Sequence, residues 1–109
     1  MTHDNLFRLP PPPWPEEVFE TLHEAPGARI ERILSQGHTT PAGEFYDQEG
    51  DEWVVLLQGE AELTYNDGTT RRLTAGDYVL IPARQRHRVS YTSSEPPCMW
   101  LAVHMSKAT

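Results

Sequence analysis

Cysteine is almost missing from this sequence, since Cys98 is the single cysteine among 109 residues. One thiol cannot form an intrachain disulfide, so the chain is not a disulfide-stapled domain, and we expect it to work in the reducing cytoplasm. Cys98 follows two prolines and has no general base beside it in the sequence. We therefore interpret it as an incidental thiol and not as a catalytic nucleophile.

Basic charge is also scarce, because nine Lys and Arg residues stand against sixteen Asp and Glu residues and the formal net charge is -7. Nucleic-acid binding needs a concentrated basic surface, and the one basic cluster, at residues 84–88, is local. The sequence also lacks an apolar run of signal-peptide or membrane-spanning length. We expect a small-molecule ligand as the partner, with neither nucleic acid nor a membrane.

Helical periodicity is limited to one short stretch near the N-terminus. Four prolines at 10–13 followed by Trp14 predict an extended arm, which is either pinned to the body by Trp14 or a ligand for a proline-binding domain. At 15–23, an initial proline, two early glutamates and apolar residues on one face predict a short helix that ends at a Pro-Gly pair. We expect residues 1–27 to be arm and helix, and residues 28–109 to be a single domain.

From residue 29 onward the pattern changes to short β-type runs separated by turn residues, as is typical of an all-β sandwich or barrel. The hairpin from Leu63 to Leu73 is indicated most clearly, because the residues of its Asn-Asp-Gly turn tolerate positive φ. The predicted strands are 29–35, 43–47, 52–58, 60–65, 70–73, 77–81, 87–92 and 99–105.

Two spaced motifs resemble the signature motifs of the cupin superfamily. The first has a glutamate, six residues and a glycine, which are Glu52 and Gly59. The second has a glycine, five residues, a proline and then, after four more residues, a histidine, which are Gly76, Pro82 and His87. The chain looks like a small single-domain bacterial cupin, and this resemblance implies an RmlC-like jelly-roll β-barrel.

The first motif departs from the family pattern where metal-binding cupins usually carry two histidines, one residue apart, before the glutamate. This sequence has Phe45, Tyr46, Asp47 and Gln48 in that stretch. Depending on the spacing, either Phe45 and Asp47 or Tyr46 and Gln48 take the histidine positions. Of the usual metal ligands, the resemblance carries over only the glutamate and the second-motif histidine.

A metal site is therefore one of two open interpretations. A divalent metal needs about three or four converging N or O donors, and strand alternation points His104 inward on the last strand. The candidate ligands are Glu52, His87, His104 and Asp47, for iron, manganese, nickel or zinc. In the alternative no metal binds, and Glu52 and His87 form a hydrogen-bonded pair that could support proton transfer.

Further side chains could complete a pocket for a small molecule, by giving it hydrogen-bonding groups and flat aromatic walls. The candidates are Tyr46, Gln48, Tyr91 and Trp100. The resemblance implies a metal-dependent enzyme acting on a small polar substrate by dioxygenase, isomerase, decarboxylase or lyase chemistry. The alternative function is a metal-free binding module without catalysis.

The strand at 52–58 is apolar on both faces, because Trp53, Val55 and Leu57 alternate with Val54 and Leu56. The outward face needs a cover, which either the N-terminal helix or a second copy of the chain would supply. We expect a homodimer.

Overall fold

The computed structural model describes residues 3–106, and this range folds entirely into β-strands and connecting segments. The strands form a five-stranded sheet in the order β1-β2-β8-β3-β6 and a three-stranded sheet in the order β5-β4-β7, with antiparallel pairing throughout. The all-β jelly-roll prediction is confirmed. The strands are β1 (Val18–Ala25), β2 (Ala28–Ser35), β3 (Asp51–Gln58), β4 (Ala61–Tyr65), β5 (Thr70–Leu73), β6 (Tyr78–Ile81), β7 (His87–Thr92) and β8 (Cys98–Met105).

The N-terminal helix predicted at 15–23 is wrong, because residues 18–23 belong to β1, which pairs along its length with β2. The Pro26-Gly27 pair, interpreted as a helix end, is the turn of this hairpin. Gly27 has φ 78°, the positive angle that suits glycine after proline in a type II turn. A helix of about nine residues is only marginally stable by itself, so pairing with the neighbouring strand decides the conformation.

The predicted strand at 43–47 is also wrong, since only an isolated bridge between Tyr46 and His87 is present there. The Tyr46 amide donates to the His87 carbonyl at 2.7 Å, and the His87 amide donates back at 3.2 Å. The other predicted strands are present with ends that agree to within one residue. This bridge brings the segment before β3 against the first residue of β7.

The main apolar core lies inside the barrel and draws side chains from both sheets. One end of it closes at the β3–β4 junction, where Gly59 has φ +92°. A Cβ atom at this glycine would lie 2.8 Å from Ser93 Oγ and 2.9 Å from Cys98 Sγ, so no other residue fits without displacement. The buried members of the core are Val54, Leu56, Ala61, Leu63, Leu73, Ile81, Cys98, Trp100 and Ala102.

A second apolar cluster lies outside the barrel, where the arm crosses the five-stranded sheet. Trp14 is buried against Leu34 and Met99, and its Nε1 donates to the Pro10 carbonyl at 3.2 Å. The buried Arg32 holds the arm as well, because its Nη1 donates to two arm carbonyls at 2.7 and 3.0 Å. These contacts favour the interpretation in which Trp14 pins the arm to the body.

The outward face of β3 is covered in two ways. Leu57 packs against the Trp14 cluster, and the Trp53 ring lies 5.6 Å from the Tyr78 ring, centroid to centroid. Tyr78 and Leu80 on β6 remain largely exposed. The homodimer stays a prediction. Residues 3–106 contain no helix that is long and apolar enough to cross a membrane.

Candidate functional site

A cavity of about 80 Å³ opens inside the barrel at the end opposite Gly59. Its charged lining consists of three glutamates and two histidines, which are Glu17, Glu31, Glu52, His87 and His104. The remaining lining is aromatic, aliphatic or amide. This volume is small beside the roughly 300–1,000 Å³ of typical ligand sites, so the cavity suits an occupant of few atoms.

Strand alternation positions two of the charged residues side by side. Glu52 on β3 lies directly opposite His104 on β8, and directly opposed residues of an antiparallel pair share a face. Glu52 is buried, as are Val54 and Leu56, which follow it on the same face. The sequence-based assignment of this inward row is therefore confirmed.

Glu52 and His87 approach each other from opposite sheets. His87 Nε2 lies 3.8 Å from Glu52 Oε1, and the two side chains are 5% and 9% exposed. The other ring nitrogen, Nδ1, lies 3.0 Å from the Gln85 carbonyl oxygen, which can only accept, so Nδ1 carries the proton. The distance of 3.8 Å is too long for a direct hydrogen bond, so the expected hydrogen-bonded pair is a close approach only.

His104 has a different carboxylate partner, Glu31 on β2. Their Nε2 and Oε1 atoms are 3.1 Å apart, and both side chains are largely buried. Sequence reasoning missed Glu31, although its alternation with the inward Ile33 carries the signal. It also missed Glu17, which lies in the stretch interpreted as a helix and accepts a hydrogen bond from Ser35 Oγ at 2.6 Å.

The structure shows which of the two possible spacings before Glu52 applies, the one that turns Phe45 and Asp47 inward or the one that turns Tyr46 and Gln48 inward. Tyr46 and Gln48 line the cavity, whereas Asp47 points away, is 45% exposed and pairs with Arg84 at 3.2 Å. Asp47 is thus wrong as a cavity-facing ligand, because alternation about the Tyr46 bridge turns its side chain outward.

Tyr46 lines the cavity, and its pKa is affected by burial and by the glutamates of the cavity. Its ring centroid lies 5.5 Å from that of His87. Burial raises the pKa of the Tyr46 phenol above its ordinary value, and the negative charge of Glu17 raises the pKa further, with smaller contributions from Glu52 and Glu31. The phenol is therefore a proton donor at neutral pH.

Tyr91 does not line the cavity, contrary to the sequence prediction. In the β4–β7 pairing Val89 lies opposite Leu63 and Tyr91 lies opposite Glu62, which leaves Ser90 as an extra residue. Such a bulge reverses the alternation that follows it. Tyr91 consequently lies outside the barrel, where the Arg72 guanidinium sits 4.6 Å from its ring centroid.

Two polar atoms of the lining are buried without a hydrogen-bond partner in the described part of the chain. They are the Trp100 indole Nε1, a donor, and Gln48 Oε1, an acceptor. Trp100 as a whole is only 3% exposed. A buried unpaired donor costs about 1–3 kcal/mol, and because both atoms are closed off from the cavity space, an occupant would reach them only after a side-chain movement.

The residues present do not fit the divalent metal that the family resemblance suggested. Within residues 3–106 no three His, Cys, Asp or Glu side chains are grouped closely enough to hold a metal ion. Of the four candidate ligands, Asp47 points outward and His104 is engaged by Glu31. Each cavity histidine instead faces a carboxylate of its own.

Comparisons with known proteins agree with this fold. A solved structure of a candidate mannose-6-phosphate isomerase from Ralstonia eutropha JMP134 is 40% identical, has a TM-score of 0.92, and the match covers 97% of this chain and 99% of that one. The structure of the iron(II) protein HppE in complex with substrate has a TM-score of 0.69 at 16% identity, with 81% of this chain and 53% of that one covered. Neighbours of this fold thus include a metalloenzyme.

One curated relative is a transcriptional regulator. The HTH-type regulator AlkR of Acinetobacter baylyi is 32% identical over a 73-residue alignment, and the match covers 56% of this chain. The match spans only 24% of that regulator's length. The cupin-domain family matches residues 31–104, well over half of the sequence. On that match, and on the barrel that carries it, the chain belongs to the cupin family.

Proposed function

We propose that this chain binds a small molecule in its barrel cavity without a resident metal ion, and that neither nucleic acid nor a membrane is its partner. The observation that carries the proposal is that the two cavity histidines face different carboxylates, His104 in a 3.1 Å contact with Glu31 and His87 in a 3.8 Å approach to Glu52. This arrangement leaves no set of donors converging on one point.

The cavity composition argues against sugar-phosphate isomerisation as the function. No arginine lines the cavity within residues 3–106, and three carboxylates do. A phosphate group there would have like charges beside it and no guanidinium to hold it. The partial likeness to a transcriptional regulator is in keeping with a binding role that needs no reaction.

Elemental analysis tests the metal-free part of the proposal. The protein, purified without a histidine tag or chelator, is compared with a folded Glu52→Ala, His87→Ala double variant before and after incubation with iron, manganese, nickel and zinc salts. We expect far less than one metal ion per chain in both proteins. Near-stoichiometric metal that disappears in the double variant would overturn the proposal.

Two-dimensional NMR tests the binding part. A panel of small amines, alcohols, amides and carboxylates is titrated into isotope-labelled protein, and amide resonances of the cavity wall are followed. Val89→Phe, which fills the cavity, should abolish the shifts, while Leu80→Phe on the exposed face of β6 should not. A panel without one saturable shift at the cavity would contradict ligand binding.

A further inference from the structure

The outer face of the five-stranded sheet is apolar, although the inner face of the same sheet already supplies the core. An antiparallel sheet with one face in water normally carries polar side chains on that face. Here Leu80 lies opposite Trp53, which in turn lies opposite Val103, and opposed residues of antiparallel strands share a face. The next row along the same three strands is apolar as well. We call these two rows the outer patch, which consists of Trp53, Val55, Tyr78, Leu80, Leu101 and Val103.

The N-terminal arm covers the neighbouring part of this face but leaves the outer patch open. Trp14 closes over Leu34 and Met99, whereas Tyr78 and Leu80 remain 65% and 55% exposed. Large exposed apolar patches mark interaction surfaces, and tryptophan and tyrosine are frequent anchors of protein interfaces. The outer patch therefore has the composition of an interface.

The accessible surface of the chain is larger than that of a compact monomer. It measures 6934 Å², whereas a folded monomeric protein of 12.4 kDa exposes roughly 6,100 Å². The excess of about 800 Å² is of the size that each partner contributes to a standard protein interface. The chain thus exposes the additional surface that a stable dimer buries.

Charge favours a second copy of this chain as the occupant of the outer patch. Each copy has a formal net charge of -7, so two copies repel each other unless they meet at a face without like charges. The outer patch contains no charged side chain, and the carboxylates of Glu31 and Glu52 line the cavity on the other side of the sheet. A twofold axis brings the same patch of both copies together, and an uncharged apolar patch is complementary to itself.

We propose that two copies of this chain pack the outer patches of their five-stranded sheets against each other about a twofold axis, with Trp53 and Tyr78 as anchors. The cavity lies on the inner side of the same sheet, where Val54 and Trp100 line it. Both cavities consequently face away from the interface. The dimer goes beyond the proposed function and does not depend on it.

Gel filtration with light scattering tests the dimer. At micromolar concentrations the parent protein should have twice the 12.4 kDa mass of one chain. Leu80→Lys should weaken the dimer about a hundredfold, because the charged side chain enters a twofold interface twice.

Leu22→Lys is the matched control. Leu22 is 46% exposed and lies on β1, at the opposite edge of the same sheet from the β6 residue Leu80. Both variants make the net charge less negative by the same amount, so a general change in repulsion cannot separate them. The control should keep the dimer, and circular dichroism shows whether both variants are folded.

Trp53 gives a second measurement, which uses the parent protein. Of the three tryptophans, Trp14 and Trp100 are buried within the chain and Trp53 is partly exposed. Dilution that separates the two copies should expose Trp53 to water and shift the indole fluorescence to longer wavelength. Trp53→Phe should remove this shift.

Three results would overturn the proposal. One is a parent protein that keeps the mass of a single chain at every concentration up to the high micromolar range. The others are equal dissociation and equal persistence of the Leu80→Lys and Leu22→Lys dimers, because either would show that the outer patch is not the interface. Ligand binding is tested separately by the titrations at the cavity wall, so the failure of one proposal leaves the other standing.

Discussion

The two ends of the barrel interior are built by the same strands, yet they differ in chemistry. The inward row of β3 begins with Glu52 and ends with Leu56, and the inward row of β8 runs from Cys98 to His104. One end is an apolar core closed by Gly59, and the other holds two histidines and the carboxylates that they face. Strand alternation thus decides which side chains point inward, while the residue type at each position decides whether they form core or site.

The largest expected effect is on the free energy of unfolding, which should be more sensitive to substitution at the apolar end of the barrel than at the polar end. Leu56 is fully buried and does not line the cavity, so Leu56→Ala should cost about 2–5 kcal/mol in the free energy of unfolding and leave ligand affinity unchanged. Glu52→Gln, a nearly isosteric change at the other end of the same strand, should cost far less. Urea denaturation measures both, and similar losses for the two variants would erase the distinction.

A smaller effect separates the two carboxylate–histidine pairs within the polar end. Glu31→Leu removes the partner of a 3.1 Å contact and should cost about 1–3 kcal/mol in unfolding free energy. Glu52→Leu removes a 3.8 Å approach and should cost less.

Imidazole NMR gives an independent check of these pairs. His87 should carry a proton on Nδ1, and Glu31→Leu should shift the His104 ring nitrogens but not those of His87. The opposite tautomer at His87 would contradict the hydrogen bond to the Gln85 carbonyl.

A pH effect follows from Tyr46 at the cavity. Because its pKa is raised in the folded state, the unfolded chain loses this proton first as the pH rises. Below the ordinary tyrosine pKa of about 10, the Tyr46 phenol therefore adds no pH dependence to the free energy of unfolding. Above that value it makes the free energy of unfolding fall as the pH rises. Tyr46→Phe should reduce the fall, as measured by denaturation at about pH 8 and about pH 11. If the free energy of unfolding of the variant falls as steeply as that of the parent protein, the pKa of the Tyr46 phenol is not raised by folding.

The smallest effect belongs to the exposed turn between β4 and β5, which serves as a baseline outside both ends. Hydrogen bonds from the Thr69 amide and hydroxyl lower the pKa of Asp67. The Asp67 carboxylate therefore stabilises the folded state above the ordinary aspartate pKa, and this stabilisation is lost as the pH falls through the lowered pKa. Asp67→Ala should destabilise slightly at neutral pH and not in acid. Asp67→Asn should remove the pH dependence of this contribution.

Local patterns predicted the fold and the centre of the site. The resemblance to the two cupin motifs located Glu52 and His87. Alternation along one strand placed His104 inward, because that inference needs only the chain's own period of two. Asp47 was placed wrongly since one residue of uncertain spacing exchanges the faces. Glu17 was not identified as a cavity residue because its stretch was predicted to be a helix. Only the pairing of β1 with β2, which the local pattern does not contain, corrects that prediction.

The bulge at Ser90 has a consequence for comparing relatives of this chain. Inward-facing residues of β7 have odd numbers before Ser90 and even numbers after it, so a homologue that lacks the extra residue keeps the same faces with a shorter strand. A gap placed in the loop at 93–97 instead of at Ser90 would misassign the faces of the last residues of β7, Tyr91 and Thr92, and leave β8 unaffected. Any alignment used to identify the residues that vary with ligand in this family should therefore be anchored at this serine.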